Sequence, residues 1–296
     1  MKFTRRSFLG VMAAAAVRPD PATAEDVHPI AARLARELDG PVDCAERAAI
    51  VGTLSRLKQL ALPSSGRLIV VNIAGRFLAA YGDGEPELES RVVVGRDGWR
   101  TPDLSTTVDA VTLNPTWTVP ETILRDEGWR SEIAADPEWA VRNGFDVVIG
   151  GRRVPPDRLA RGELSRATLV QRPGADNALG RVKISMRNAG SIYLHSTNAV
   201  EGYDDPERTD SHGCVRVEQA VELAAWILDS WPDALRSEIE ADVRAVRRGP
   251  RPVAVVFGRV GVRLFTGTYP PHRSAWRPGG RRPDRRRSCR PHRARR

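Results

Sequence analysis

The segment HSTNAVEGYDDPERTDSHGCVR at residues 195–216 concentrates side chains that can move protons and form covalent bonds. It holds two of the five histidines of the chain, His195 and His212, and one of its three cysteines, Cys214. A cysteine attacks a carbonyl group as a thiolate, so it needs a base or an electropositive environment. Histidine is the most frequent such base. The segment therefore predicts a nucleophile, Cys214, that is activated by His195.

Two predicted elements must position these groups. The run SIYLH ends in His195 and predicts a strand, which would hold the imidazole on a rigid support. Cys214 follows in a polar loop, and the next pattern, EQAVELAAWILDS, predicts an amphipathic helix. We therefore expect Cys214 to lie just before a helix N-terminus, where the helix dipole favours a thiolate.

The nucleophile and its base also need supporting groups. We expect Ser196, or its backbone carbonyl, to hold the His195 imidazole in one tautomer. Gly213 and its neighbour His212 can present backbone N–H groups to an oxyanion, because glycine allows a close approach to the reacting carbon. Two alternatives remain open: His195, His212 and Cys214 could bind zinc, or Cys214 could be a buried free thiol.

The tetrapeptide SHGC at 211–214, preceded by His195, resembles the active-site signature of L,D-transpeptidases with a YkuD-type catalytic domain. Three longer blocks occur in the matching order: VTLNPTWTVP, VQRPGADNALGRVKISM and HGCVRVEQAVELA. They are similar to the branch of the family that carries a long inserted lid. The resemblance covers roughly residues 45 to 230.

The resemblance implies a mainly β catalytic domain, a YkuD-type β-sandwich or barrel with peripheral helices and an inserted α-rich lid, which is α+β overall. It implies that Cys214 attacks the third, diamino acid residue of a peptidoglycan tetrapeptide stem and releases D-alanine. An amine of a second stem then resolves the thioester and forms a 3→3 cross-link. The resemblance further implies that no metal or other cofactor is needed and that carbapenems inhibit the enzyme.

The resemblance also assigns roles to single residues. His195 becomes the general base and acid, Ser196 its orienting partner, and the backbone of His212 and Gly213 the oxyanion donors. The side chain of His212 is expected to be structural. Three further residues are expected to contact the substrate: Tyr193, Ser211 and Arg216. The alternative for Arg216 is an ordinary surface charge.

Three other functions remain open at this point. The same acyl-enzyme could be given to water, as in an L,D-carboxypeptidase, or to an amine of an envelope protein. A non-catalytic protein that binds envelope polymers through its basic C-terminal part is the third. A binding protein has no need of a cysteine paired with a histidine, and this favours the enzymes.

The N-terminal sequence predicts export. Basic residues precede an apolar run at 8–17, and the sequence ATA at 22–24 fits a signal cleavage site. The core TRRSFL resembles a twin-arginine signal. An apolar run of this length is too short to cross a bilayer. We expect residues 1–24 to be an export signal and the mature protein to act in the periplasm or cell envelope, without a stable membrane span.

The net charge of +9 is distributed unevenly along the chain. Residues 244–296 contain 17 Arg, no Lys and one acidic residue, a net charge of +16, which leaves −7 for residues 1–243. Because the body is acidic, the overall basicity does not predict a nucleic-acid partner. We expect residues 244–296 to be a basic, largely disordered tail, such as a shifted reading frame in GC-rich DNA would produce.

Apolar patterns divide the remaining sequence. Residues 25–64 predict a helical N-terminal segment, since Ile30 and Leu34 recur at a helical spacing. Residues 65–243 hold short β-branched runs bounded by turn residues and predict the β-rich catalytic domain. Within it, residues 121–166 combine helical patterns with scattered aromatic residues and predict the inserted lid.

Overall fold

The computed structural model describes residues 28–258, except 41, 59–61, 64, 137, 156–157, 159–162 and 164–165. The predicted export signal and the last part of the chain lie outside the described residues. Within these residues, no helix is both long and apolar enough to cross a membrane.

The described part of the chain contains seven α-helices: α1 Pro29–Glu37, α2 Cys44–Leu57, α3 Glu121–Asp126, α4 Trp129–Ala135, α5 Glu138–Arg142, α6 Ala220–Leu228 and α7 Pro232–Glu240. It also contains thirteen β-strands: β1 Arg67–Asn72, β2 Phe77–Gly82, β3 Glu85–Val93, β4 Leu104–Leu113, β5 Trp117–Thr118, β6 Phe145–Ile149, β7 Arg152–Arg153, β8 Thr168–Gln171, β9 Val182–Met186, β10 Leu194–His195, β11 Val215–Val217, β12 Ala245–Arg247 and β13 Val253–Gly258. A 3-10 turn at Val200–Tyr203 lies between β10 and β11.

Eight strands form a closed circuit of hydrogen-bonded pairs. Their order is β4, β13, β1, β2, β3, β11, β10 and β9, and β9 pairs again with β4. The pairs β1–β13 and β10–β11 are parallel, and the other pairs of the circuit are antiparallel. β12 pairs with β4 alongside this circuit. The predicted fold class, mainly β with peripheral helices, is confirmed.

The strand β1 shows why the circuit and the helices form one core. All six residues of its sequence RLIVVN are buried, because both faces of the strand are covered. Ile69 and Val71 point into the circuit, where α6 adds Leu223 and other apolar side chains. The alternate residues Leu68 and Val70 pack against α1 and α2 on the opposite face. The predicted helical N-terminal segment therefore covers the outer face of the sheet.

The strand β13 is an interior strand of the sheet and pairs with β1 on one side and β4 on the other. Its residues Val255 and Phe257 are fully buried in the main core. The composition predicted a basic, largely disordered tail from residue 244 onwards, in which the run PVAVVF could still form a strand, and the structure forms that strand as far as Gly258. The reason is local: the β-branched run VAVVF can bury its side chains despite the arginines around it.

The lid forms a second unit with its own core. A four-stranded antiparallel sheet of order β5-β8-β6-β7 packs with α3, α4 and α5. The rings of Trp117, Trp129, Trp139 and Phe145 meet in this core, with Trp139 and Phe145 stacked 6.0 Å apart. The unit extends beyond the predicted 121–166, because β5 and β8 belong to it. The run ATLVQRP indicates the strand β8. The α-rich prediction did not include β5, β6 and β7, because strands of 2, 5 and 2 residues give little periodic signal.

Candidate active site

The predicted nucleophile and base lie on neighbouring strands. His195 ends β10 and Cys214 directly precedes β11, and in the parallel pairing His195 is opposite Arg216. Leu194 points into the main core, so the alternation of the strand turns His195 towards the other face. His195 and Cys214 line one cavity of about 790 Å³ beneath the lid. The strand β11 separates Cys214 from α6, so the expected position at a helix N-terminus is not observed.

The His195 imidazole is buried and uncharged. Its pKa is lowered from 6.5 to about 3; burial is the main cause, and the nearby charges of Arg216 and Lys183 act in the same direction. The backbone carbonyls of Ser196 and Leu179 act in the opposite direction. Its Nδ1 atom has no hydrogen-bond partner among the described residues. The site therefore contains a neutral ring with an unused nitrogen, as a proton acceptor requires.

The Cys214 thiol is a free cysteine that is partly buried. Its Sγ atom donates to the Ser191 carbonyl oxygen at 3.7 Å. Burial raises the pKa of the thiol, whereas the backbone N–H and the hydroxyl of Tyr193 and the charge of Lys183 lower it. The resting thiol is protonated, and groups that can stabilise a thiolate already surround it.

Ser196 supports the site through two different groups. Its hydroxyl accepts from the Val182 N–H at 2.8 Å and donates to the Leu179 carbonyl at 3.0 Å. These bonds fix the chain next to the imidazole. Only the backbone carbonyl of Ser196 acts on His195 itself. Of the two groups that the sequence suggested, the carbonyl is the one that lies against the ring.

The loop that carries Cys214 is held by its own hydrogen bonds. The Gly213 N–H donates to Ser211 Oγ at 3.1 Å, and Ser211 Oγ donates to the Cys214 carbonyl at 2.5 Å. Thr101 Oγ1 donates to the Gly213 carbonyl at 2.9 Å. The Gly213 N–H is thus engaged within the loop, and the Ser211 hydroxyl shapes the loop while Ser211 also lines the cavity. The expected roles of Gly213 as an oxyanion donor and of Ser211 in substrate contact stay predictions. Gly213 is needed for its φ of 102°, which other residues rarely adopt.

The side chain of His212 points towards the lid. Arg96 Nη2, Glu127 Oε1 and His212 Nε2 lie within 2.9 to 3.1 Å of one another. The Trp99 ring meets the His212 ring edge-on at 5.1 Å. Burial and the charge of Arg96 lower the pKa of His212, while Glu127 opposes them. His212 therefore has structural contacts, and Arg96 and Glu127 are partners that the sequence did not reveal.

Tyr193 and Arg216 flank the imidazole. The Tyr193 ring packs edge-on against His195 with 5.5 Å between the ring centroids, and burial followed by the charge of Cys214 raises its pKa. Arg216 lines the cavity and pairs with Asp210 at 3.4 Å. The Lys183 ammonium lies 4.2 Å from the centre of the Tyr193 ring.

Within the described ranges, no three His, Cys, Asp or Glu side chains are grouped to hold a metal ion.

Residues 66–281 match the family model of the YkuD L,D-transpeptidase catalytic domain. The match covers more than half of the 296 residues. The chain belongs to the YkuD L,D-transpeptidase family. The resemblance that the sequence showed is thereby confirmed, and the structure brings His195 and Cys214, two of the residues that carried it, to one cavity.

The chain is also similar to individual proteins and solved structures. A curated protein of Haemophilus influenzae named "Putative L,D-transpeptidase" is 30% identical over 185 residues, which are 61% of this chain and 38% of that protein. The chain thus spans well under half of that relative's length. An L,D-transpeptidase from Mycobacterium smegmatis matches with a TM-score of 0.30 and 15% identity, over 66% of this chain and 59% of that chain. L,D-transpeptidase 3 from Mycobacterium tuberculosis matches with a TM-score of 0.32 and 14% identity, over 65% and 61%.

Lys183 is a further residue of this YkuD site that the sequence analysis did not identify. It lies within the block VQRPGADNALGRVKISM, where it reads as an ordinary charged position of a strand. A signal was nevertheless present, because Val182 and Ile184 are the apolar, inward positions of that strand. Strand alternation then turns Lys183 to the face that His195 occupies, since the two residues are paired in the register of β9 and β10.

Proposed function

We propose that the protein is a peptidoglycan L,D-transpeptidase that forms 3→3 cross-links through a thioester on Cys214. One observation carries this proposal: Cys214 and a neutral His195 with an unused Nδ1 atom line the same cavity. Family membership supports the reaction class. The proposed substrate lies in the cell envelope, and the export signal predicted at residues 1–24 agrees with that location.

Acylation begins when His195 accepts the proton of the Cys214 thiol. The sulfur attacks the carbonyl carbon of the third residue of a tetrapeptide stem, and its oxygen becomes an oxyanion. Because Ser211 uses the Gly213 N–H, we assign the stabilisation of this oxyanion to the N–H groups of His212 and Cys214. The C–N bond then breaks, and the imidazolium returns its proton to the leaving amine of D-alanine. A thioester remains on the sulfur.

Deacylation repeats these steps with an acceptor. The amine of a second stem attacks the thioester carbonyl and loses a proton to His195. The C–S bond breaks, and the Cys214 thiolate takes the proton from the imidazolium. Trp99, Arg244 and Val246 line the same cavity as Cys214, and we propose that this cavity receives both the donor and the acceptor peptide. Water as the acceptor would give a tripeptide, the product of an L,D-carboxypeptidase.

The first prediction concerns the covalent intermediate. We expect the protein to gain the mass of one carbapenem on Cys214, because the thiolate attacks the strained lactam carbonyl as it attacks a peptide. Cys214→Ala should abolish the adduct, and His195→Ala should slow its formation about 100-fold or more. Intact-protein mass spectrometry with peptide mapping measures both. His28→Ala is a matched control, since His28 contacts Pro63 far from the cavity.

Two outcomes would contradict the proposal. An adduct that survives Cys214→Ala would place the nucleophile elsewhere, and a chain that forms no adduct would favour a non-catalytic binding protein. Mass spectrometry of purified tetrapeptide stems then identifies the acceptor. Dimers indicate transpeptidation, whereas tripeptide monomers alone indicate hydrolysis.

A further inference from the structure

Lys183 places a positive charge at the nucleophile. It lies on β9 opposite His195 and opposite Thr112 of β4, and it lines the cavity together with Cys214. Its neighbours Val182 and Ile184 are buried in the main core, so their packing fixes the direction of the lysine. The ammonium therefore points to the reactive face of the sheet from a rigid strand.

No carboxylate neutralises this ammonium within the part of the chain that the structure describes. Its nearest partner is the face of the Tyr193 ring, at 4.2 Å from the ring centre. Burial lowers the pKa of Lys183, and the charge of Cys214 is the influence that raises it. Tyr193 in turn contacts Cys214 through its N–H and its hydroxyl. Lys183, Tyr193 and the thiol thus form one connected group.

A lysine at position 183 is unusual in this chain, because almost all of its basic residues are arginines. The chain has 3 lysines, Lys2, Lys58 and Lys183, among 46 basic residues. The planar fork of arginine suits the two oxygens of a carboxylate, whereas an ammonium is a compact point charge. A thiolate is a one-atom anion, and a point charge matches it. This chemistry favours the sulfur over a substrate carboxylate as the anion that faces Lys183.

We propose that Lys183 is the cation that balances the negative charge of the Cys214 thiolate during acylation. The inference rests on the proposed role of Cys214 as the nucleophile. When the sulfur loses its proton to His195, the ammonium and the Tyr193 hydroxyl remain beside the developing anion. Lys183 stabilises the negative charge of the thiolate and takes no part in bond making or proton transfer. The Cys214 sulfur forms the bond, and the His195 imidazole transfers the proton.

Other groups near the thiol also influence its charge. Titratable and charged side chains face the site from the adjoining elements: Lys183 on β9, Tyr193 and His195 around β10, His212 in the loop, Arg216 on β11, Glu127 of the lid through His212, and Arg244 before β12. A cation favours the thiolate and disfavours the imidazolium. Removing the charge of Lys183 should therefore raise the pKa of Cys214 and the pKa of His195 together.

The test measures alkylation of Cys214 by iodoacetamide, a neutral reagent, between pH 6 and 10. Peptide-mapped mass spectrometry gives the rate for this cysteine alone. Lys183→Met keeps the aliphatic stem and removes the charge. We expect its profile to move up by about one pH unit, so that alkylation at pH 7 is about tenfold slower. Lys183→Arg should restore most of the rate. Lys58→Met, an exposed lysine after α2, should leave the profile unchanged.

The outcome can overturn the inference without touching the proposed function. An unchanged alkylation profile in folded Lys183→Met would refute it. If the same variant also showed a raised KM only for stems with a free terminal carboxylate, Lys183 would instead bind substrate. Failure of the proposed function appears separately, as the absence of a carbapenem adduct on the unmodified chain.

A second measurement covers the case in which Lys183→Met does not fold. Reductive ¹³C-methylation labels the lysines and keeps their charge, and the Lys58 variant assigns one signal. Because coupling between two charges is reciprocal, titration of Cys214 should produce a second step in the Lys183 signal. We expect that step to disappear in Cys214→Ala. A signal that is identical in both proteins would refute the inference.

Discussion

The His195 imidazole is almost enclosed, with 6% of its surface exposed, and its surroundings keep it uncharged. Burial is the largest cause of the lowered pKa of His195, and the positive charges of Arg216 and Lys183 lower that pKa as well. A neutral histidine is useful to a cysteine enzyme, because it can accept the thiol proton without first losing one. The same enclosure links the protonation of the ring to the stability of the protein.

The sign of this linkage follows from the lowered pKa of His195. Between pH 6.5 and about 3 the unfolded chain binds a proton on this ring and the folded chain does not. The contribution to stability is complete above pH 6.5 and is lost as the pH falls through this window. We expect about 3 kcal/mol less free energy of unfolding at pH 4 than at pH 7 from this group.

Urea unfolding of the unmodified protein and of His195→Gln at several pH values measures this contribution. Glutamine does not titrate, so the pH slope of the variant should be shallower by that amount. Other groups, His212 among them, are present in both proteins and cancel in the comparison. If the free energy of unfolding depended on pH in the same way in both proteins, the His195 ring would not be held neutral in the folded state.

Among the secondary-structure elements, the lid makes a polar contact with the loop of the nucleophile through Glu127. Glu127 follows α3 and meets His212, two residues from Cys214, together with Arg96 from the loop after β3. The ion pair is partly exposed, so it is worth about 1 kcal/mol or less. This contact is the polar link between an element that covers the cavity and the loop that shapes it.

Glu127→Gln keeps the shape of this side chain and removes its charge. We expect hydrogen exchange of amides in α3 and α4 to become faster by up to about fivefold, because the lid is released from the loop more often. Glu121→Gln is the matched control. It breaks the ion pair with Arg130 inside the lid and leaves the contact with His212 intact. Equal exchange in the two variants would show that the contact does not restrain the lid.

At the scale of the whole molecule, the closed circuit depends on β13. This strand joins β1 to β4, which are far apart in the chain, and its side chains lie in the main core. Without it, two neighbouring strands would present unpaired backbone groups in the middle of the sheet. The region after residue 243 therefore contains an essential structural element, although its composition is that of a basic tail.

Substitutions of two valines that differ in burial can test whether β13 is needed for the stability of the sheet. Val255 in β13 is fully buried, whereas Val246 in β12 is 65% exposed, and both strands pair with β4. We expect Val255→Asp to cost ~4 kcal/mol or more, because it buries an unpaired carboxylate. Val246→Asp should change the free energy of unfolding by less than about 0.5 kcal/mol. Thermal and urea unfolding measure both, and equal effects would contradict the interior position of β13.

Local sequence patterns were enough to predict the nucleophile, its base and the main type of secondary structure. The run SHGC and the histidine at the end of SIYLH predicted the nucleophile and the base, since a motif and a strand end are local features. The β-branched runs predicted a mainly β domain, and the aromatic residues between them predicted a lid. Each of these conclusions depends on side chains within a few positions of one another.

The residues that contact these groups from distant parts of the chain became apparent from the folded structure alone. Strand register placed Lys183 opposite His195, and the packing of the lid brought Glu127 to His212. Loop geometry gave the Ser211 hydroxyl to the Gly213 N–H, which the sequence had assigned to an oxyanion. The physical reason is that hydrogen bonds and charges act over a few ångströms in space, and sequence spacing does not determine those distances.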